Sequence, residues 1–392
     1  MKILHLCLCG AYSDKYEYQD NILPLKHFEM GNEVTVFVSP LTWEENGALG
    51  EREACDYINE HGYKICVLSY KNSKMAKPLR LFENLYTRIE EEKPDVIFCH
   101  GGLFYSYPEL IRYIKKHKNV RLYLDSHIDT NISGIDQKQG IAKIKRYCAY
   151  RFFWGHCVRR LSLYARKVWG VTPARVNFLV NIFKVPKSKV DLLVMGGNES
   201  AIQYEKREVL RKEIRKRAGI PADAFVCVTA GKFDRFKNIP ELLNAFNIIG
   251  DTNIVLVLLG APDAEMKDEI TQLKEKMSNV YDEGWCDTTT IYDWFLASDL
   301  AVFPGRHSVL WEQAVATGLP CCIHRATGME HVDVGGNCVF MDSIDPSDIA
   351  KTIRYIATNK ENYNRMLAVA RSKGIKEFSY MEIAKRSIEE TM

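Results

Sequence analysis

A twice-repeated alternation constrains this chain most. In its first half, short apolar runs fall at Lys2–Leu8, Glu33–Val38, Lys64–Ser69, Asp95–Cys99, Val120–Leu124 and Val168–Val171. Between them lie longer stretches of helical periodicity, such as Leu79–Glu92 and Pro108–His117. The second half repeats the plan with apolar runs at Phe225–Ala230, Asn253–Leu259, Asp299–Phe303 and Pro320–Ile323. Helices are expected there at Ile239–Ile249, Met266–Met277, Thr289–Ala297, Val309–Thr317 and Pro346–Thr358. Strands apolar on both faces, separated by helices, predict a parallel sheet covered on both sides. A length of 392 residues suits two such domains. The expected fold is α/β, with two doubly wound, Rossmann-like lobes. The polar segment Gly196–Arg217, after a strand at Val190–Met195, is the expected linker. Ser379–Met392 is amphipathic and outside the second alternation, and is expected to pack back on the first lobe. The expected divisions are therefore 1–196, 197–378 and 379–392. Two open α/β sheets in tandem predict an interlobe cleft along their carboxyl edges, where ligands bind.

Composition excludes several classes. The net charge of +3 is too small to argue for nucleic acid. The twelve cysteines form no C-x-x-C pair, which speaks against a zinc knuckle or a thioredoxin-type site. Cys7, Cys66, Cys99, Cys227 and Cys338 sit inside apolar runs, where a thiol packs as a small hydrophobe. Unpatterned thiols suit a reducing, cytoplasmic compartment. The opening MKILHLCLCG leads straight into polar sequence and reads as a buried strand rather than a secretory signal. No apolar run reaches the roughly 18 residues that a spanning helix needs.

Two segments of the second half carry anion chemistry. In VCVTAGKFDRFKNIPELLNAF a strand ends at Ala230, and Gly231 permits a tight exit. Lys232 and Lys237 then bracket the turn into a helix. Two cations there suit a diphosphate, or else form a solvated basic loop. In DLAVFPGRHSVLWEQAVATGLPCCI a strand ends at Phe303 and Pro304-Gly305 turns the chain. Ser308 is the expected N-cap of a helix whose free N–H groups would hold an anion. Glu312 and Gln313, on its first turns, could reach sugar or ribose hydroxyls. An ordinary strand-turn-helix, with Ser308 only capping, is the alternative.

These motifs resemble the family 4 glycosyltransferases of the GT-B fold, over nearly the whole chain. GKFDRFKN is similar to that family's G-R-L-x-x-x-K-G donor motif, and QAVATGLP to its E-A-x-A-x-G-x-P segment. Met195-Gly196-Gly197-Asn198 resembles the segment that opens the second lobe. YQDNILPLKHFEMGNEVTVFVS and DSHIDT resemble a capsule- and lipopolysaccharide-type subgroup. The resemblance implies retaining transfer from a nucleoside-diphosphate sugar, with Lys232 and Lys237 gripping the diphosphate. It sets Gly284 and Trp285 near the donor base, and implies that His127 lies near the donor sugar and acceptor. Asp125 and Asp129 would orient His127 or bind acceptor hydroxyls, and Gly10 would let the backbone approach the donor phosphates. There are departures. Gly305 and Gln313 stand where the family carries two glutamates, and Glu312 comes one place early. Backbone N–H groups from Gly305 to Leu310, including Val309, with Arg306 and His307, are expected to take over part of that work. No D-x-D occurs, so no metal is expected, and no cofactor beyond the donor.

From Gln137 to Val190 there is no Asp or Glu but thirteen Lys or Arg, interleaved with Tyr147, Tyr150, Phe152, Phe153, Trp154, Tyr164 and Trp169. A basic, aromatic helical stretch suits an anionic membrane surface, or else has its aromatics in the core and its basics in water. No nucleic-acid reading module is present. The expected function is transfer of a hexose-type unit to a cell-surface glycan, lipid-linked, by a protein peripheral on the inner face of the membrane. A sugar-nucleotide epimerase, a phosphorylase or a non-catalytic nucleotide-sugar binder are the alternatives.

Overall fold

The computed structural model describes residues 1–14, 16–44, 48–275 and 277–389. Lys276 of the expected helix Met266–Met277, and 390–392 of the expected terminal helix, lie outside the described residues. The chain divides into two compact units, Met1–Val194 with Ile383–Met392, and Met195–Glu382.

The strands of the first unit are β1 (Lys2–Cys7), β2 (Glu33–Val38), β3 (Leu41–Trp43), β4 (Leu49–Glu51), β5 (Asp56–Ile58), β6 (Lys64–Val67), β7 (Val96–His100), β8 (Arg121–Ser126), β9 (Ala165–Gly170) and β10 (Val190–Leu192). Eight form one sheet in the order β10-β9-β8-β7-β1-β2-β6-β5, while β3 and β4 pair as a small antiparallel ribbon. Every pairing in the large sheet is parallel except β5 with β6. On one face Leu4, Leu6, Ile97, Cys99, Leu122 and Leu124 pack in a common core with Leu85, Ile89, Leu110, Val158 and Leu161 from the flanking helices. The helix Tyr380–Ile388 returns its last turns to this unit. Trp169 Nε1 donates to the Ser387 carbonyl, and Tyr123 Oη to that of Ile388, both at 3.0 Å. The order reverses between β1 and β7, so the turns after these strands flank a switch point.

One expected helix is broken. Leu79–Glu92 is instead two helices, Ala76–Leu79 and Leu85–Glu92, separated by Arg80 at φ 52°. Between them Phe82 is fully buried, bridges to Tyr70 and donates its N–H to Ser106 Oγ at 2.8 Å. A distant hydroxyl and an apolar pocket outweigh local helical periodicity there.

The second unit contains β11 (Phe225–Ala230), β12 (Ile254–Leu259), β13 (Val280–Gly284), β14 (Leu300–Phe303), β15 (Cys321–His324) and β16 (Cys338–Met341). They form one all-parallel sheet ordered β13-β12-β11-β14-β15-β16. The order reverses between β11 and β14. Leu256, Leu258, Leu300 and Val302 share a core with Leu242, Phe246, Ile349 and Ile353 of the covering helices.

The expected linker Gly196–Arg217 is in fact partly structural, because Arg207–Arg217 is a helix of this unit. Arg211 and Arg215, one turn apart on one face, each place a guanidinium nitrogen 2.7 Å from an Asp299 carboxylate oxygen. Asp299 also accepts from Val226 N–H at 2.8 Å. The sequence reads as polar because the helix docks through charge rather than through an apolar stripe.

Candidate functional site

In the second unit the two anion-bearing segments leave β11 and β14, the strands that flank the switch point. Their backbones touch. Arg306 N–H donates to the Phe236 carbonyl at 2.9 Å, and Asn238 Nδ2 to that of Pro304 at 2.9 Å. A Cβ on Gly305 would lie 2.4 Å from both Lys237 Cα and the Phe236 carbonyl oxygen, so only glycine fits there. Gly231, at φ +119°, makes the exit from β11. The Arg306 guanidinium lies over the Phe236 ring, 3.5 Å from its centroid.

Lys237 Nζ donates to the Arg306 carbonyl at 3.0 Å. Burial pushes its pKa down, with Asp234 pulling the other way and Arg306 adding to the fall. Lys232 is exposed. Among the described residues neither lysine forms an ion pair with a carboxylate. A partly desolvated ammonium without a counter-ion is a seat for an anion. Gly284 ends β13, its N–H held by Asp282 Oδ1 at 2.9 Å, and Trp285 beside it is 71% exposed.

Two expectations are corrected here. Ser308 does not cap the helix. The helix spans Leu310–Ala316, Val309 holds its N-cap position, and Ser308 Oγ is buried without a partner. Glu312 is not exposed on the first turn of the helix, and its Oε2 is buried without a partner. It is fully buried, and its Oε1 accepts from His307 Nε2 at 2.7 Å and His331 Nε2 at 2.8 Å. Burial alone would raise its pKa, but the two imidazoles hold it well below the carboxylate range. Gln313 beside it is also buried, while Leu310 is half-buried. His331 lies nineteen residues from Glu312 in sequence, and no local pattern marked it.

His307, Glu312 and His331 are the one group of metal-capable side chains found among the described residues, with ligand atoms within 4.8 Å of one another. Both Nε2 atoms already face Glu312, and His331 Nδ1 is buried without the acceptor that orients a metal-bound imidazole. The arrangement is a hydrogen-bonded brace that fixes the His307 ring.

In the first unit, Gly10 is exposed after β1, and its carbonyl accepts from Ser39 Oγ at 2.6 Å. Asp125, near the end of β8, is buried. It accepts from His100 Nδ1 at 2.8 Å and from Gly101 N–H at 3.0 Å. Burial would raise its pKa, but His100 and His127 hold it far below the usual range. His127 is partly exposed, with Nε2 3.5 Å from Asp125 Oδ2. Asp129, expected at acceptor hydroxyls, is instead buried, with Oδ1 accepting from Ile132 N–H at 2.7 Å and Oδ2 3.5 Å from Arg175 Nε. His5, His27 and His100, which the motifs did not single out, join this region.

The basic segment divides. Trp169 is buried, and Tyr150, Trp154 and Tyr164 pack on the core. The helix Gly140–Cys148 has no buried residue. Ile141, Ile144, Phe152 and Phe153 are exposed. No helix of the described residues is long and apolar enough to cross a membrane.

Residues 211–373 match the sequence profile of the family described as "Glycosyl transferases group 1". A curated relative, D-inositol 3-phosphate glycosyltransferase 1 of Catenulispora acidiphila, is 28% identical over 160 residues, 37% of this chain. The match spans 38% of that relative's length. Among solved structures, HepE of Anabaena in complex with UDP has a TM-score of 0.67 at 15% identity, with 98% of both chains covered. Sucrose-phosphate synthase of Thermosynechococcus elongatus gives 0.67 at 16%, covering 98% of this chain and 96% of that one. WaaG, a glycosyltransferase involved in lipopolysaccharide biosynthesis, gives 0.65 at 13%, covering 98% and 99%. The chain therefore has the GT-B fold, and residues 211–373 of its second unit are similar in sequence to the group 1 glycosyl transferases.

Proposed function

We propose that the protein is a retaining, metal-independent glycosyltransferase that moves a hexose-type unit from a nucleoside-diphosphate sugar to a lipid-linked cell-surface glycan. The observation that carries this reading is the pair of cations at the β11/β14 switch point, Lys232 and Lys237, which form no ion pair with a carboxylate among the described residues. Loss of a nucleoside diphosphate leaves charge on the departing phosphate, so stabilising that charge is the main catalytic task. In this reading Lys232, Lys237, Arg306 and the backbone N–H groups from Gly305 to Leu310 meet the diphosphate. Gly284 and Trp285 meet the base, and Gly10 leaves room for the phosphates. With Glu312 buried, His307 takes over contact with the sugar. His127, beside Asp125, faces the transferred sugar and its acceptor. Turnover tests this: incubation with a panel of nucleotide sugars and lipid-linked glycan extract should release nucleoside diphosphate with formation of an extended glycan. No release with any donor would overturn it, and conversion of donor without acceptor would identify an epimerase.

The exposed Ile141, Ile144, Phe152 and Phe153 beside Lys143, Lys145, Arg146 and Arg151 support docking on the anionic inner face of a membrane, where such an acceptor is met. The protein should co-sediment with phosphatidylglycerol vesicles and not with phosphatidylcholine ones. The pair Ile141→Asp and Ile144→Asp should reduce binding at least tenfold, at about 0.8 kcal/mol per buried CH2. Equal binding by the variant would exclude this face.

A further inference from the structure

The first unit contains a chain of three buried histidines to which the motifs assign no role. His5 sits within β1, His27 near the end of the helix Gln19–Glu29, and His100 is the last residue of β7. All three are at most 3% exposed. His27 Nδ1 lies 3.0 Å from His5 Nε2, and His5 Nδ1 lies 3.0 Å from His100 Nε2. The chain has a partner at each end. His27 Nε2 is 3.1 Å from both the Ala384 carbonyl and Ser387 Oγ, and His100 Nδ1 is 2.8 Å from Asp125 Oδ2.

The hydrogens can be counted. The Ala384 carbonyl only accepts. Ser387 Oγ gives its own hydrogen to that carbonyl at 2.8 Å, so it also accepts from His27. His27 Nε2 therefore carries hydrogen. Burial pushes the His27 pKa down to about 4, the bond to Ala384 opposing and His100 adding, so the ring is neutral and its Nδ1 accepts. His5 Nε2 must then donate. Burial, with His27 and His100 beside it, also keeps His5 neutral, so its Nδ1 accepts from His100 Nε2. At the far end Asp125 accepts from His100 Nδ1. Four bonds need four hydrogens, and three neutral rings supply three. The fourth belongs to His100, because Asp125 also accepts from Gly101 N–H, and Asp20 Oδ1 is 3.5 Å from His100 Nδ1.

We propose that the C-terminal helix, acting through His27 and His5, fixes His100 as an imidazolium, and that His100 is a positioning residue holding the Asp125 carboxylate beside His127. The meaning of that position for transfer rests on the proposed function, but the charge state does not. The ionisable groups facing His100 are Asp125 on β8, Asp20 on the helix Gln19–Glu29, and His5 and His27. His127 reaches it through Asp125. Cys7, Cys9 and Cys99 lie near the same carboxylates, and burial raises their thiols so that they stay neutral. For His100 burial lowers the pKa, but Asp125 and Asp20 outweigh it and the net change is upward.

Nitrogen-15 NMR of the histidine-labelled full chain tests this, with His100 assigned by its loss in His100→Gln. At pH 7 His100 should show hydrogen on both ring nitrogens, and His5 and His27 on Nε2 only. A neutral His100 would overturn the proposal. In His27→Phe the acceptor that polarises His5 is gone, so the His100 midpoint should fall by about one pH unit or more. His5→Gln, whose amide imposes no direction, should act the same way and serves if His27→Phe fails to fold. An unmoved midpoint in either folded variant would remove the relay. In transfer assays these variants should lose kcat more at pH 8 than at pH 6 with donor KM unchanged, whereas a pH-independent loss would mean a structural role only. If wild type shows no transfer, the proposed function fails while the NMR result still decides the charge on His100.

Discussion

Replacing Lys237 with alanine is expected to lower the kcat of donor turnover by about a hundredfold to a thousandfold, the usual cost of one preorganised charge-stabilising donor. The expectation follows from how the ammonium is held. It is partly desolvated, is fixed by the Arg306 carbonyl at 3.0 Å, and forms no ion pair with a carboxylate among the described residues. Such a charge is unfavourable until an anion arrives, so its interaction grows as the leaving phosphate gains charge. The loss should therefore appear in kcat more than in KM. Stability should change little, by about 1 kcal/mol, since one hydrogen bond is removed. Lys237→Arg should recover only part of the rate, because the Lys237 backbone is pressed against Gly305 and a guanidinium places its charge differently. Near-normal kcat in a folded Lys237→Ala protein would remove the diphosphate from this position.

Replacing Glu312 with alanine should destabilise the protein by about 2–4 kcal/mol in urea titration, because two imidazole N–H groups lose their shared acceptor and a cavity remains. Donor turnover should fall with it, since the His307 ring loses its brace. The pH dependence has a definite sign. The folded pKa of Glu312 lies below the unfolded value of about 4.3, so its contribution is present above that pH. It is lost as pH falls toward the folded value. Glu312→Gln keeps an acceptor oxygen but cannot titrate. The stability difference between wild type and Glu312→Gln should therefore narrow between pH 7 and pH 3.5. A difference that stays constant would mean that the carboxylate charge is irrelevant to the brace.

Legibility in the sequence followed the range of the interaction. The strand Phe225–Ala230 and the helices Ile239–Ile249 and Pro346–Thr358 were readable to the residue, because buried apolar runs and helical spacing are local signals. The turns bearing Lys232, Lys237 and Gly305 were readable for the same reason. The break at Arg80, the docking of Arg211 and Arg215 on Asp299 and the burial of Glu312 were not. Each depends on a partner from another part of the chain: Ser106 for Phe82, Asp299 for the arginines, His331 for Glu312.

By itself, then, the sequence determined the double alternation, because burial of short apolar strands under amphipathic helices is written in neighbouring residues. Sheet order, and with it the contact of two turns 69 residues apart at one switch point, was decided by tertiary structure. So was the charge assigned to His100. A histidine's proton depends on what each ring nitrogen faces, and those partners come from β1, β8 and a helix at the other end of the chain.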